Sequence, residues 1–588
     1  MHSQAKYGHW RFGVLAALAV VFVTSIPQLN LIIRRGHNWH GSYALIDFDE
    51  LTYSAYLNGL INGRGRKSNP FSDLHEESSS RSENYYSIQF VPAYATLFFS
   101  RLLRLSASTT FILISPLMAF LSSLALFWLL RGLIADDKFA AIGVLIVLLC
   151  GRLVSESPLI AAQLYGAFAF LRRYVPAVPF PLFFIFCGFI WRALITKQRR
   201  AYLLAIGAGL LFGLLVYSYF FLWTAALAWT VSFGLLWLTF RPEERSHAAK
   251  KLSVVALTSV CVLIPYFKLL TDRARTIDTD QALEVTRQPD LSRVSEIVGI
   301  LTVLVLVWLA KKRHSSLQSP SFIFALSCAT LPVIVFNQQV VTGRSLQPFH
   351  YEQFIVNYVV LVSLVITFQL AAQLVKIRSA LWVSCALTIG VVTAVKEADD
   401  NFALNQQLDN ARPVFEKVDD LSLQSRRKGF VLFNNSLLAA GAATSLSVPE
   451  LWAPNMYSYG TSTRSEQIER FHQYLYFMGV KSQSLDLDLR NSATTRVAVF
   501  GLPRVNQGLI SKSATISERE VDEEVELYSR YVGSFSEVDA KRWPLTYLIT
   551  IDEATYDFAN LDRWYARDAG IHVGGSIIYP LRFRDGDQ

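Results

Sequence analysis

Apolar runs of 16 to 23 residues recur along the chain up to about residue 395, and such runs leave few folds open. A helix needs about 20 apolar residues to cross a hydrocarbon core, and backbone groups with no water to bond must satisfy one another inside helices or closed barrels. The runs lie near 12–33, 109–131, 139–154, 176–194, 201–218, 220–240, 252–270, 294–310, 322–341, 353–375 and 380–395. They predict a polytopic α-helical membrane protein with about eleven transmembrane helices. Only 17% of the residues are charged, against about 25% in soluble domains, and the deficit falls before residue 395. The run at 12–33 is too long for a signal-peptide core and has no small-residue cleavage site, so it is read as a retained first span.

The basic residues orient these spans. Sixteen of them fall in alternate short loops, from Lys6 and Arg11, through Arg241, Arg245, Lys250 and Lys251, to Lys376 and Arg378. Short loops rich in Lys and Arg stay cytoplasmic. Eleven crossings then place the N-terminus inside and residues 396–588 outside, in an arrangement expected of a bacterial inner membrane with a periplasmic terminal domain. The net charge of +9 belongs to this loop bias and predicts no nucleic-acid partner. All five cysteines lie inside apolar runs and are read as small core residues, not as disulfides or a zinc site.

Two domains follow from the change in composition: a membrane domain over 1–395, with a long outer loop at 34–108, and a soluble α/β domain over 396–588. In the second, 429–433, 496–500 and 547–551 read as strands and 465–478 as an amphipathic helix. In the outer loop, 88–105 reads as an amphipathic stretch lying along the interface, and Ser78, Ser79, Ser80, Arg81 and Ser82 as its tip.

Four constellations carry chemistry, and the topology places all of them on the outer face. Ile46-Asp47-Phe48-Asp49-Glu50-Leu51-Thr52-Tyr53 puts three carboxylates within four residues of one another, just after the first span. A carboxyl group near apolar surface gains basicity and suits a general base. Asp47 and Asp49 would equally hold a divalent cation, Mg²⁺ or Mn²⁺, through oxygen ligands; a solvated acidic loop is the plain alternative. Arg172 and Arg173 precede the fourth span on the side where basic pairs are uncommon, which points to a phosphate or an anionic headgroup. The loop after Asn337 gathers Arg344, His350, Tyr351 and Glu352, a set able to bind phosphate or merely to shape a turn. Tyr217 and Tyr219 open an aromatic run ending at Trp223, either an interfacial belt or a stacking platform for a sugar.

Asp49-Glu50-Leu51-Thr52-Tyr53 resembles the D-E-x-x-[Y/H] motif of the GT-C superfamily of membrane glycosyltransferases. That superfamily includes oligosaccharyltransferase catalytic subunits, protein O-mannosyltransferases and lipid A aminoarabinose transferases. Asn69-Pro70-Phe71 and Pro92-Ala93-Tyr94 are similar to the remainder of the family's first outer loop. The resemblance implies a GT-C-like fold and transfer of a sugar from a polyprenyl-phosphate donor to a glycan or lipid acceptor. It implies Asp49 as the catalytic residue. Joined to the constellations above, this gives a reading with Asp49 as general base, Glu50 or Asp47 assisting it or binding metal, Tyr53 lining the site, and Arg172, Arg173, Arg344 and His350 around the leaving phosphate. The chain departs from the pattern in two places. A His-Pro-Pro-like element is reduced to Phe90-Val91-Pro92, and no W-W-D-type motif occurs in the terminal domain, so protein N-glycosylation is not expected. Two readings of other classes stay open: a transporter or flippase of an anionic lipid or polysaccharide, and a non-catalytic envelope-assembly factor.

Overall fold

The computed structural model describes residues 10–584 apart from 74–81, 135, 156–165, 278–282, 313–315, 372–378, 426, 461, 503, 506–514 and 552–555. Ser78, Ser79, Ser80 and Arg81 of the loop tip, and Arg313, Lys376 and Arg378 of the basic loops, lie outside the described residues.

A helix occupies each of the eleven apolar runs, as expected where apolar side chains cover the whole circumference. Six are long and apolar enough to cross a membrane: Ala107–Leu133, Phe220–Phe240, Pro242–Thr271, Val294–Lys311, Pro348–Leu370 and Ser379–Asp400. Trp10–Thr24 and Ile26–Asn38 make a seventh if the 44° bend between them belongs to one span. Pro27 sits at that bend, where it removes a backbone donor and crowds the preceding turn. The remaining runs fall short for local reasons. The run at 139–154 yields Asp137–Leu149 and then a turn of 3₁₀ helix at Gly151–Val154. Phe180–Ile195, Arg200–Val216 and Pro320–Phe336 have at most 17 residues. Among the described residues each of the eleven runs thus carries helix, but only six of the helices, or seven with the bent pair, are of spanning length. Cys261 and Cys385 are exposed on their helices, unlike the other three cysteines, which are buried.

The stretch at 88–105 forms the helix Phe90–Leu103. Its inner side buries Ala93, Thr96, Leu97 and Ser100, and its outer side leaves Tyr94, Phe98 and Leu102 uncovered. Arg104, at φ 55°, ends it in the left-handed region.

Strands β1 (Leu283–Val285) and β2 (Arg344–Leu346) pair antiparallel between spans. Strands β3 (Phe430–Phe433), β4 (Leu545–Thr550), β5 (Tyr565–Arg567), β6 (Ile571–Val573) and β7 (Ser576–Phe583) build a second sheet of order β3-β4-β7-β5, with β6 also on β7. Only the β3–β4 pairing is parallel; the rest are antiparallel. The helix Arg464–Phe477 forms over most of the expected stretch. Residues 496–500, read from sequence as a strand, instead end the helix Ala493–Phe500. The Ser492 hydroxyl accepts a hydrogen bond from the Thr495 amide and caps its start, and a short apolar run carries no period able to tell the two apart.

Residues beyond 400 fasten the outer loop. In the helix Phe402–Ser425, the Asn405 side chain accepts from the Leu45 amide, while Asp409 accepts from the amides of His40 and Ser42 and pairs with Arg35 at 3.0 Å. Further on, Asn58 donates to the carbonyls of Ala443 and Leu446, and Asn69 to that of Met456.

Candidate active site around Asp49 and Arg172

The acidic motif starts the helix Asp49–Ile61. Asp47 Oδ1 accepts from the Asp49 amide at 2.8 Å, a local turn that competes with continued extended chain and starts the helix. Asp49 and Glu50 occupy the first turn, where carboxylates are favoured by the helix dipole. From Glu50 to Leu60 every residue is buried, so this helix runs through the interior.

The three carboxylates have three environments. Asp49 points outward, with its side chain 55% exposed. Glu50 is fully buried and saturated: it accepts from the amides of Ile46 and Arg173, and both its oxygens take Arg173 Nη1, at 3.1 and 2.9 Å. Arg173 further donates to the carbonyls of Phe111 and Ala44. Glu50 and Arg173, both candidates for a direct role, are therefore paired with each other in the interior. Asp47 is 8% exposed, and its Oδ2 lies 3.7 Å from Arg172 Nη1. Burial, with the charges of Asp49 and Glu50 adding to it, pushes its pKa up to about 7 against the opposing pull of Arg172.

Arg172 is 1% exposed and held on every side. Nη1 meets Asp49 Oδ2 at 2.8 Å, Nη2 donates to the Tyr219 hydroxyl at 3.1 Å, and Nε donates to the Val175 carbonyl at 3.0 Å. The guanidinium also lies over the rings of Tyr53 and Phe354, 5.3 and 4.3 Å from their centroids. Asp47, Asp49, Tyr53, Arg172 and Tyr219 are thus one cluster.

The other candidates stand farther off. His350 is buried beside Phe221 and Phe354, with ring centroids 4.6 and 5.2 Å away, so one aromatic side chain separates it from Arg172. Tyr351 shares a hydrogen bond of 2.8 Å with Thr224. Glu352 pairs with Arg293 at 2.8 Å, and Arg293 also holds Asp290 at 2.6 Å. Tyr217 donates to the Val262 carbonyl and packs on Phe90 and Tyr266, tying helices together. Arg344 is exposed on β2, and its backbone hydrogen-bonds Gln338 and Thr342 of its own loop. Sequence reasoning passed over Arg293, Phe354, Tyr86 and Tyr459. For Arg293 a signal existed in the spacing of Asp290, Arg293 and Glu296, which repeats every three residues.

A divalent cation does not fit this donor set. A Mg²⁺ ion bridging Asp47 Oδ2 and Asp49 Oδ2 would sit about 2.1 Å from each, yet Arg172 Nη1 already faces both atoms. Among the described residues no group of three or more His, Cys, Asp or Glu side chains is placed to hold a metal.

Neither a protein-family model nor a curated protein matches the sequence. Among solved structures the chain is similar to the archaeal oligosaccharyltransferase AglB from Archaeoglobus fulgidus, in complex with an inhibitory peptide and a dolichol-phosphate. The identity is 13% and the TM-score 0.41, over 99% of this chain and 74% of that one. It is similar also to the Archaeoglobus fulgidus oligosaccharyltransferase in complex with Zn and sulfate, at 12% identity and TM-score 0.42, over 97% and 73% of the two chains.

Proposed function

We propose that the chain is a GT-C-like membrane glycosyltransferase that moves a sugar from a polyprenyl-phosphate donor to a hydroxyl of a glycan or lipid acceptor at the outer face of the membrane. The observation that carries this reading is the pairing of an outward-facing Asp49 with an immobilised, buried Arg172. Asp49 takes the acceptor hydroxyl proton as the acceptor oxygen bonds to the anomeric carbon. The sugar–phosphate C–O bond breaks, and its electron pair leaves with the lipid phosphate. Arg172 is a positioning residue: its Nη1 holds the Asp49 carboxylate in place at 2.8 Å, and its charge acts on the leaving phosphate through the low-dielectric interior. Eleven crossings, some by short or bent helices, would set this site and residues 396–588 on the outer side, with membrane lipids around the spans.

Asp49→Asn tests this reading. The amide keeps the shape and removes the base, a loss of about 10²–10⁴-fold in transfer. The measurement is turnover of polyprenyl-phosphate-linked sugar by purified, correctly inserted protein. Turnover by the variant at the wild-type rate would remove Asp49 from the mechanism.

A further inference from the structure

We infer that the Asp47–Asp49 pair works without a divalent cation, because the Arg172 guanidinium holds the position between the two carboxylates that such a cation would take. A motif of the form Asp-x-Asp beside a phosphate-handling site invites the opposite expectation, and oxygen ligands of this kind do hold Mg²⁺ and Mn²⁺. Here the same nitrogen atom, Arg172 Nη1, faces Asp49 Oδ2 at 2.8 Å and Asp47 Oδ2 at 3.7 Å. A bridging dication would occupy that space and meet a fixed positive charge within a few ångströms.

Arg172 has no room to swing aside. It is 1% exposed, Nε is tied to the Val175 carbonyl, Nη2 to the Tyr219 hydroxyl, and the planar head lies over Tyr53 and Phe354. Releasing it would strand a buried charge and leave the Val175 carbonyl without its donor, a change that is strongly unfavourable in a protein interior. An exposed arginine at the end of a flexible stem would yield to a dication; this one is part of the interior. One positive charge at the carboxylate pair is therefore built into the chain and need not be recruited.

The claim about binding stands on the geometry alone, while its consequence for turnover rests on the proposed transferase reading. The test uses full-length protein in detergent, titrated with Mn²⁺ and followed by electron paramagnetic resonance, alongside donor turnover with and without EDTA. The wild type is expected to bind no stoichiometric Mn²⁺ and to keep its turnover in EDTA. Arg172→Gln removes the charge while keeping a polar side chain of similar reach. It is expected to gain a Mn²⁺ site with a dissociation constant on the order of 10⁻⁴–10⁻³ M, and its turnover, lowered about 10²-fold, is expected to rise with added Mn²⁺. Stoichiometric Mn²⁺ in the wild type, loss of wild-type turnover in EDTA, or an Arg172→Gln variant that binds no Mn²⁺ would each overturn the inference. If Arg172→Gln fails to fold, the wild-type titration decides alone. If the wild type turns over no donor, the transferase reading falls, and the Mn²⁺ titration still decides whether the carboxylates take a cation.

Discussion

Glu50 follows Asp49 by one residue and does the opposite job. Successive helical residues are turned by about 100°, so where Asp49 faces outward its neighbour enters the core and must find a partner there. Arg173 supplies it with both oxygens engaged. Glu50→Gln leaves that guanidinium buried against a neutral amide, and the expected loss is about 3–5 kcal/mol of stability, read as a fall in Tm with turnover per folded molecule nearly kept. Asp49→Asn should show the reverse pattern. Asp47 makes a third, pH-dependent case. Its folded pKa, about 7, lies above the ordinary carboxylate value, so the folded state binds the extra proton. Its contribution to stability is full below about pH 4 and is lost as the pH rises through 7. Asp47→Asn is expected to flatten the decline in Tm across that window. The motif was legible in the sequence as three clustered carboxylates, and Asp49 as the one the family resemblance singles out. Their separate fates were not, because residues 50–60 are buried on all sides and leave no polar face from which to read the helix's orientation.

A cluster of tyrosines joins the acidic helix to the far end of the chain. Tyr459 donates its hydroxyl hydrogen to the Thr52 carbonyl at 3.1 Å, and its ring lies 4.4 Å from that of Tyr86. Tyr86 meets Tyr53 at 5.9 Å, Tyr53 meets Tyr174 edge-on at 4.8 Å, and Arg172 covers Tyr53. Tyr459→Phe removes one hydrogen bond, worth about 1 kcal/mol, and should leave donor turnover almost unchanged. Tyr459→Ala opens a cavity, costs about 3–5 kcal/mol, and should lower kcat more than it raises KM, because the acidic helix loses its support. Equal effects of the two substitutions on turnover would mean that the hydroxyl, not the ring, is what matters. Helices were easy to read wherever apolar residues ran on, and the strands at 430–433 and 545–550 were apparent in their β-branched and aromatic content. The bend at Pro27 and the capped helix at 493–500 depend on single residues, and apolar periodicity alone passes over such features. The tyrosine contacts span some 400 residues of sequence, a range over which no local pattern carries information.

Across the whole molecule, orientation is the property with the sharpest test. With short basic loops held inside, reporter fusions after Lys312 should read cytoplasmic and fusions after Asn401 exported. A cytoplasmic reading after Asn401 would place Asp49 and the later residues that grip its loop on the inner side. That grip also has a consequence in time. The acidic motif leaves the ribosome early, while the residues that fix its loop, Asn405, Asp409, Ala443, Leu446, Met456 and Tyr459, follow by 360 to 410 positions. At about 5–20 residues per second, the first span and its outer loop wait tens of seconds before their supports exist. Through that interval the acidic helix lacks its clamp, so on the proposed reading an unfinished chain already threaded into the membrane would stay idle. The transfer proposed for the site would then arrive as one late event, once residues 405–459 have closed over the loop that carries Asp49.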